Sequence, residues 1–517
     1  RYQFSENRRE RLNGQAVLQF KPTETLEITV DGLYARNKLS DERSEQTNWF
    51  QRPFNSVTFD DNDRMQTAIL LAEAIQADKG YEQQRFATKT ELYSFGGNVK
   101  WNFNDRMSLL FDANHSKSTT NPDNANGSSA TTISIGAPVR SSHSLDFSSG
   151  FPQQSETIND NPATNGNRGG NNNGLLDLGD LGTQVARRIN SLQESRINQF
   201  RAEFGWDLGD DSSFKFGGNY VDARTRSASS NTQQILGDWG ITDTGLVQRL
   251  AGDITSTYCL TCKFDKYNPN SAGSSLVAFR ADAVDLLNIF EPYYQNSGIA
   301  GRQVVNQGSN DDTVGEKTWA VYGQLAWGGE IAGRRANALI GVRYEQTRVN
   351  SISLQSIPTA LQWQSDNDFA VLGGPAGDAV QVKAQYDNLL PSLDFNLELV
   401  DNVVARTSFS RTLARADYGN LFASVVANAP NRPTALGAAP APASRQDPGL
   451  LPLVSDNFDV SVEWYYKPSS FVSVGFFNKN VRNFIGNQIT NGNLFGLTGP
   501  GWGAAGSRSG TALAYLR

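Results

Sequence analysis

Hydrophobic and polar residues alternate with a period of two near the start of the chain. The apolar or small residues Leu12, Gly14, Ala16, Leu18 and Phe20 alternate with polar neighbours, and the pattern restarts at Leu26 to run through Ile28, Val30 and Gly32. A period of two is typical of a β-strand whose two faces meet different surroundings. The polar stretch between the two runs, residues 21–25, therefore predicts the turn of a β-hairpin.

The same unit of two alternating runs around a short polar turn recurs along the chain. The further turns are predicted at Asn104-Asp105-Arg106, Gly209-Asp210-Asp211-Ser212, Gly328-Gly329-Glu330, Val400-Asp401-Asn402 and Lys467-Pro468-Ser469-Ser470. The run from Val403 to Arg411 alternates poorly, yet its position after a turn predicts a strand. The result is twelve strands of about 9–12 residues, the length that a tilted strand needs to cross a bilayer.

The connections between these strands alternate between short turns and long segments. The long segments cover approximately residues 38–88, 118–192, 225–315, 349–385, 412–455 and 479–517. Aromatic residues gather beside the short turns, as in the girdle at a membrane boundary. These are Phe20, Trp101, Phe103, Trp206, Phe214, Trp327, Trp464, Tyr465, Tyr466 and Phe471. Long outer loops opposite short turns are typical of an antiparallel transmembrane β-barrel, so we expect this all-β fold.

Charged residues occupy the strand faces opposite the apolar rows. They include Glu27, Asp31, Lys100, Asp112, Arg201, Glu203, Lys215, Arg343, Glu345, Asp394 and Glu463. In a barrel they would line a wet lumen, and in a soluble sandwich they would face water. The long connections favour the barrel, because soluble sandwiches mostly use short ones. Within these connections, spacings of three and four residues predict short helices at Arg64–Asp78, Thr183–Leu192 and Ser275–Phe290.

Composition excludes several classes of protein. The net charge of −7 disfavours a general nucleic-acid binder, which needs a basic surface. Two Cys and two His leave little material for a zinc or haem site, so we predict no cofactor and no metal centre. Every long apolar run is interrupted by charge, which excludes transmembrane helices. Since no catalytic motif is present either, we predict that the chain is not an enzyme.

Several motifs resemble those of TonB-dependent outer-membrane receptors, in the large-loop branch common in Xanthomonas- and Caulobacter-type bacteria. They are Tyr386-Asp387-Asn388-Leu389-Leu390-Pro391-Ser392, Arg411-Thr412-Leu413-Ala414-Arg415 with Asp417-Tyr418, Ser455-Asp456-Asn457-Phe458-Asp459, Phe476-Phe477-Asn478-Lys479, and the opening Arg1-Tyr2 with Phe20-Lys21-Pro22. The group usually has Pro where this chain has Ala416. The likeness covers most strands and almost none of the loops.

The resemblance implies a single, partial β-barrel domain over residues 1–517. We expect it to form about half of a barrel of roughly 22 strands, without the plug domain that precedes the barrel in this family. It further implies TonB-dependent uptake of a scarce nutrient, an oligosaccharide or an iron–siderophore chelate, across the bacterial outer membrane. The expected partners are outer-membrane lipid, the nutrient, and TonB through the plug region of the parent protein. The alternatives are a passive or adhesive porin-like barrel and a soluble all-β carbohydrate-binding protein.

Aromatic loop residues are the candidates for substrate contact, because sugar rings and aromatic chelates stack on aromatic faces. They are Trp49, Phe50, Trp239, Tyr293, Tyr294, Trp363 and Trp502, and each of them could instead pack loops together. Arg302, Arg411 and Arg415 could steer an anionic chelate, or pair with loop carboxylates. Cys259 and Cys262 form a C-x-x-C motif in a predicted outer loop, where a structural disulfide is expected.

Overall fold

The computed structural model describes residues 1–48, 54–62, 67–166, 169–209, 211–237, 241, 243–271, 276–365, 368–373, 377–427, 443–489 and 500–501. Within these ranges the chain is mainly antiparallel strand. The strands are β1 Tyr2–Thr23, β2 Leu26–Thr47, β3 Ser56–Phe59, β4 Ala68–Glu73, β5 Ala77–Asn102, β6 Met107–Pro122, β7 Ala130–Asp146, β8 Gln153–Ile158, β9 Gly182–Gly209, β10 Ser212–Ile235, β11 Ser256–Cys259, β12 Val277–Arg280, β13 Val305–Ile331, β14 Arg334–Gln355, β15 Pro358–Ser365, β16 Asp368–Gly373, β17 Asp378–Val400, β18 Val403–Ala414, β19 Val425–Ala427, β20 Ala443–Arg445, β21 Leu453–Lys467, β22 Ser470–Arg482 and β23 Pro500–Gly501.

One large sheet holds the twelve strands that the alternation predicts. Its order is β1-β2-β5-β6-β9-β10-β13-β14-β17-β18-β21-β22, so each strand lies beside its neighbour in the series. Every one of these pairings is antiparallel, including the weakly alternating β18 against β17 and β21. Within the described residues β1 pairs with β2 alone and β22 with β21 alone.

The short turns fall where the sequence predicts them, with one exception. The strands β13 and β14 continue through Gly328–Glu330 and turn at Ala332 and Gly333, both of which have positive φ. Two consecutive residues with positive φ match the hairpin turns whose twist suits the flanking strands. The predicted position was therefore three to four residues too early, because glycines inside a strand resemble a turn.

The large strands are much longer than predicted. β13 has 27 residues and β9 has 28, so strand residues extend far into the segments expected to be loops. These extensions lose the alternation that identified the lower parts; in β9, for example, Val185 and Ala186 point to opposite faces. Two predicted helices are wrong. Thr183–Leu192 belongs to β9, and the described part of Arg64–Asp78 contains β4 and the start of β5.

The third helix prediction is partly confirmed. The helix α2 spans Ala283–Gln295, and the preceding residues Val277–Arg280 form β12. Asp282 caps the helix by accepting hydrogen bonds from the backbone N–H groups of Val284 and Asp285. A shorter helix, α1, spans Leu246–Ala251. No helix in the described part of the chain has the length and apolar character needed to cross a membrane.

Strand register gives the large sheet an apolar face and a polar face. One row of paired residues shows the apolar face: Ile28, Val99, Phe111, Ala202, Gly218, Val321, Tyr344 and Leu389 follow one another across eight strands. Many members of such rows are exposed, among them Val321, Phe200 and Phe216. The next residue on each strand points to the polar face. Because side chains alternate strictly, the register alone assigns every strand residue to one face.

The main hydrophobic core lies on the far end of the apolar face. Here α1, α2, β11 and β12, all between β10 and β13, form a unit that we call the lateral cap, which consists of the described residues between 236 and 299. It covers Tyr81 and Gln83, which share their side of β5 with Phe95 and Val99. The rings of Tyr81 and Phe279 pack edge to face at 4.9 Å, and Gln83 donates to the backbone oxygen of Phe279 over 2.9 Å.

A second, smaller core lies on the polar face. The chain after β18, residues 416–427, folds back over the sheet, and we call it the inward segment. Its Leu421 and Phe422 pack with Val314 of β13 and Val349 of β14. Both of these strand residues alternate with the apolar row and therefore point to the polar face. One end of the segment is also held by the backbone N–H of Val425, which donates to Gln355 Oε1 over 3.0 Å.

Candidate functional site

The polar face carries a cluster of alternating charges at the centre of the sheet. Arg201 and Glu203 of β9 form an ion pair, and Tyr322 of β13 bonds to both. Arg201 Nε donates to the Tyr322 hydroxyl over 3.0 Å, and that hydroxyl donates to Glu203 Oε2 over 2.7 Å. Lys215 Nζ lies 3.8 Å from Glu203. The strands β9, β10 and β13 thus bring Arg201, Glu203 and Lys215 together with Tyr322, which lies 121 residues after Arg201.

A second cluster lies further along the same face. Glu345 of β14 is buried and accepts from two guanidinium groups, Arg343 Nε at 3.1 Å and Arg415 Nη2 at 2.7 Å. Arg343 and Glu345 share their face because they are two residues apart on one strand. Arg415 comes from the residue after β18, so its ion pair ties the start of the inward segment to the sheet.

The two clusters border one open cavity of about 490 Å³. Arg201, Tyr322 and Arg343 line it together with the polar side chains of Gln199, Asn219, Gln324 and Ser392. Guanidinium groups bind carboxylate and phosphate-like anions, and amides and hydroxyls bind hydroxyl groups. The cavity can therefore hold a polar ligand through both kinds of contact.

The inward segment packs on the polar face further along β13 and β14 from this cavity. Tyr418 and Tyr386 both approach the buried carboxylate of Glu316, with the Tyr386 hydroxyl 3.4 Å from Glu316 Oε1. Burial, and then the negative charge of Glu316, raise the pKa of the Tyr418 hydroxyl well above its ordinary value. Tyr418 is therefore a neutral hydrogen-bond donor at physiological pH. This contact and the Arg415–Glu345 pair hold the segment against the sheet.

The predicted contact residues Tyr293 and Tyr294 lie on the opposite side of the wall. Both belong to α2 of the lateral cap, which packs on the apolar face. Tyr294 is buried, and its hydroxyl bonds to Asp243 and, over 2.7 Å, to Thr183 of β9. Tyr293 is exposed and borders a cavity of about 690 Å³ together with Leu250, Ile289 and Pro292. The structure gives Tyr294 a structural position and separates both residues from the polar cavity.

The predicted arginines separate in the same way. Arg411 pairs with Asp456 through two bonds of 2.6 and 3.1 Å. Phe409 lies two residues before Arg411 on β18 and therefore on the same face. Since Phe409 pairs with Phe458 on the apolar face, Arg411 also points to that face and away from Arg415. Arg302 accepts a hydrogen bond from Gln234 at its backbone oxygen over 2.9 Å. Of the three, Arg415 alone belongs to a charged cluster that borders the polar cavity, through its bond to Glu345, the partner of Arg343.

The other predicted contact residues are not assigned to a site. Trp49, Phe50, Trp239 and Trp502 lie outside the described residues, and the Trp363 backbone belongs to β15. Cys259 and Cys262 are joined by a disulfide, with their Cα atoms 5.3 Å apart. The bridge closes a tight loop at the rim of the lateral cap, next to the buried Leu260. In the described ranges, no three His, Cys, Asp or Glu side chains are arranged to hold a metal ion.

A buried group of charged residues surrounds β7, which pairs with the start of β5 and with the start of β9. Arg140 of β7 donates to Glu73 of β4 over 3.0 Å, and both side chains are fully buried. His143 lies 3.8 Å from the same carboxylate. Burial, and then the charge of Arg140, lower the pKa of His143 to about 3. This histidine is therefore neutral over the physiological range.

Sequence reasoning placed Arg201, Glu203, Arg343 and Glu345 on the polar face, and the register agrees. It did not select them as site residues, and it missed Tyr322, Glu316 and the inward segment. Alternation assigned the faces correctly, and it could have marked Tyr322 as the tyrosine of the polar face. The return of residues 416–427 onto the sheet depends on contacts between distant strands, and no local pattern reports it.

Comparison with known proteins agrees with this architecture. Residues 138–512 match the family model described as TonB dependent receptor-like, beta-barrel. No curated protein matches the chain. Among solved structures, the crystal structure of the siderophore receptor PiuA from Acinetobacter baumannii aligns at 10% identity with a TM-score of 0.32, covering 92% of this chain and 56% of that one. The chain therefore spans little more than half the length of that receptor. Since the family model covers most of the chain, the protein belongs to the TonB-dependent receptor-like β-barrel family.

Proposed function

We propose that this chain forms the barrel wall of a receptor that takes up a scarce nutrient across the bacterial outer membrane with the help of TonB. The family is an outer-membrane family of receptors, and in it the apolar face meets lipid while the polar face lines the passage. The observation that carries the proposal is the cavity bordered by Arg201, Tyr322 and Arg343, because it offers ligand-binding groups on the interior face. The function is transport, not catalysis.

The proposed cargo is an oligosaccharide or an iron–siderophore chelate. A chelate with anionic arms would bind the guanidinium groups of Arg201 and Arg343, which face the cavity. An oligosaccharide would use the amides of Gln199, Asn219 and Gln324. The inward segment packs on the polar face further along β13 and β14 and would make contact with cargo that passes along this face.

The test uses the full-length parent protein in a host that lacks its own receptors for these nutrients. Uptake of iron-55 chelates and of labelled oligosaccharides is measured with and without TonB. We expect TonB-dependent uptake of one class, reduced at least tenfold by Arg201→Gln with Arg343→Gln. The matched control is Lys100→Gln, an exposed cation on the same face away from the cavity. Uptake that is independent of TonB, or unaffected by the double substitution, would reject the proposal.

A further inference from the structure

The lateral cap contains a cavity that lies apart from the proposed passage. It has a volume of about 690 Å³ and is bordered by the end of α1, the second half of α2 and the residues that follow α2. Its apolar lining consists of Leu250, Ile289, Pro292, Ile299 and the ring of Tyr293. Pockets for small molecules measure about 300–1,000 Å³ and are lined mainly by such side chains. This space, which we call the cap cavity, therefore has the size and the surface of a ligand site.

Polar groups of the same lining are free to bind a ligand. Asn296 and Ser297 follow the end of α2 and line the cavity together with Tyr293. In the part of the chain that the structure describes, neither the Asn296 amide nor the Tyr293 hydroxyl has a hydrogen-bond partner. Ser297 Oγ donates to the backbone oxygen of Tyr294 over 2.7 Å and accepts from the N–H of Ile299 over 3.2 Å, which leaves one lone pair unused. The cavity therefore combines an apolar surface with donors and acceptors.

The lining of the cap cavity is uncharged. Among the described residues no charged side chain lines it, although 19% of the whole chain is charged. Glu291, beside Pro292 in α2, forms an ion pair with Arg188 of β9. The polar cavity of the sheet differs in this respect, because Arg201 and Arg343 line it. Moving a charged group into an uncharged pocket costs desolvation that no partner offsets. The cap cavity therefore selects an uncharged ligand that carries hydrogen-bonding groups.

The position of the cap cavity excludes membrane lipid as its occupant. Tyr294, next to Tyr293 in α2, bonds to Thr183 of β9. Thr183 lies about 17 residues before Phe200, the last aromatic residue of the apolar face on β9, and this separation corresponds to about 55 Å along the strand. In the proposed membrane location, the hydrocarbon layer of about 30 Å begins on the other side of Phe200. The cavity is then surrounded by water at the cell surface, where hydrophilic solutes reach it.

We propose that the cap cavity binds sugar rings of a neutral oligosaccharide. The inference rests on the proposed function and narrows its cargo to a carbohydrate. A pyranose ring has apolar faces and a rim of hydroxyl groups. One face packs on Tyr293 and Pro292, while the hydroxyl groups bond to Asn296 and Ser297. The cap cavity thus concentrates the carbohydrate at the cell surface, on the outer side of the wall, before it enters the passage.

The test measures hydrogen exchange in the full-length parent protein, purified in detergent, while a sugar is titrated. The neutral probes are maltohexaose, cellohexaose and xylohexaose, and the charged probe is the hexamer of galacturonic acid. The site variant combines Tyr293→Ala with Asn296→Ala. The matched control combines Ile254→Ala with Gln295→Ala, which are exposed residues of the lateral cap outside the lining. Exchange measured without sugar shows that the cap of each variant is folded.

We expect at least one neutral sugar to slow exchange in residues 289–299. The site variant should bind that sugar at least tenfold more weakly, while the control stays within threefold of wild type, and the charged hexamer should bind wild type at least tenfold more weakly. The inference is overturned if no neutral sugar protects these residues, if the site variant binds as well as wild type, or if the charged hexamer binds equally. Failure of the transport proposal is seen separately, because uptake is measured in cells with and without TonB.

Discussion

The ion pair between Arg415 and Glu345 should decide how firmly the inward segment is held on the polar face. Replacing Arg415 with Met keeps the length of the side chain and removes the 2.7 Å bond to Glu345, together with a longer and weaker bond of 3.5 Å to Thr347. Glu345 retains Arg343 at 3.1 Å, so the carboxylate does not become an unpaired buried charge. The expected loss is therefore that of one charged hydrogen bond, about 1.5–3 kcal/mol.

That loss can be measured as local opening of the inward segment. Hydrogen exchange reports the free energy of local opening, and 1.4 kcal/mol corresponds to a tenfold change. We expect the amides of residues 416–427 to exchange about 10- to 100-fold faster in the Arg415→Met protein. The amide of Val425, bonded to Gln355, is a direct reporter within the segment.

The control is Arg343→Met, which also leaves Glu345 with one guanidinium partner but does not remove a contact of the inward segment. Its exchange in residues 416–427 should remain within about threefold of wild type. If Arg343→Met accelerates exchange as much as Arg415→Met, the segment responds to general loss of charge at Glu345. If neither does, the ion pair does not hold the segment, and the Leu421 and Phe422 packing is sufficient.

Three further predictions concern the lateral cap and the sheet below it. Tyr294→Phe removes the hydroxyl that bonds to Asp243 and Thr183 and should destabilise the lateral cap by about 1–3 kcal/mol. The loss is measured as faster hydrogen exchange in the cap, which the control Tyr293→Phe, at an exposed position, should change little. His143 has a pKa of about 3 when folded and about 6.5 when unfolded, so the unfolded state binds the extra proton between these values. Stability should fall by up to about 1.4 kcal/mol per pH unit from pH 6.5 towards 3, and His143→Gln should flatten this slope in chemical denaturation curves. Reduction of the Cys259–Cys262 disulfide opens a four-residue loop and should lower the stability of the lateral cap by about 2 kcal/mol. The loss should appear as faster hydrogen exchange near Leu260. In the Cys259→Ser and Cys262→Ser double variant, reductant should have no further effect on this exchange.

The sequence was sufficient to predict the lower half of the sheet. Between a short turn and the end of the apolar run, each strand separates two different media, so the residue pattern must alternate and the faces can be read from it. The parts of the sheet beyond the apolar runs do not separate two different media in this way. In β7, residues 133–140 are buried on both sides, because the lateral cap covers one face and polar groups cover the other. A strand that is buried on both sides does not alternate between apolar and polar residues. The sequence therefore predicted helices and loops for this part of the chain.

The site was harder to predict because it depends on where the long connections return. Aromatic residues in loops were chosen as substrate contacts, and the structure places Tyr293 and Tyr294 on the apolar side of the wall. By contrast, the motif residues Arg415, just before the inward segment, and Tyr418, within it, lie on the polar side. Nothing local distinguishes a connection that folds outward from one that folds inward, because the choice is made by packing against distant strands such as β13 and β14.

Strict alternation nevertheless links the two faces of this wall. On β13, Glu316 points to the polar face beneath the inward segment, and the adjacent Lys317 points to the apolar face. On β14, Thr347 lies beneath Arg415, and the adjacent Arg348 points to the apolar face. A shift of one residue in the pairing would move both sets to the wrong side at once. The register of these strands is therefore constrained from the polar face and from the apolar face together, which explains why polar residues on both faces still specify one arrangement.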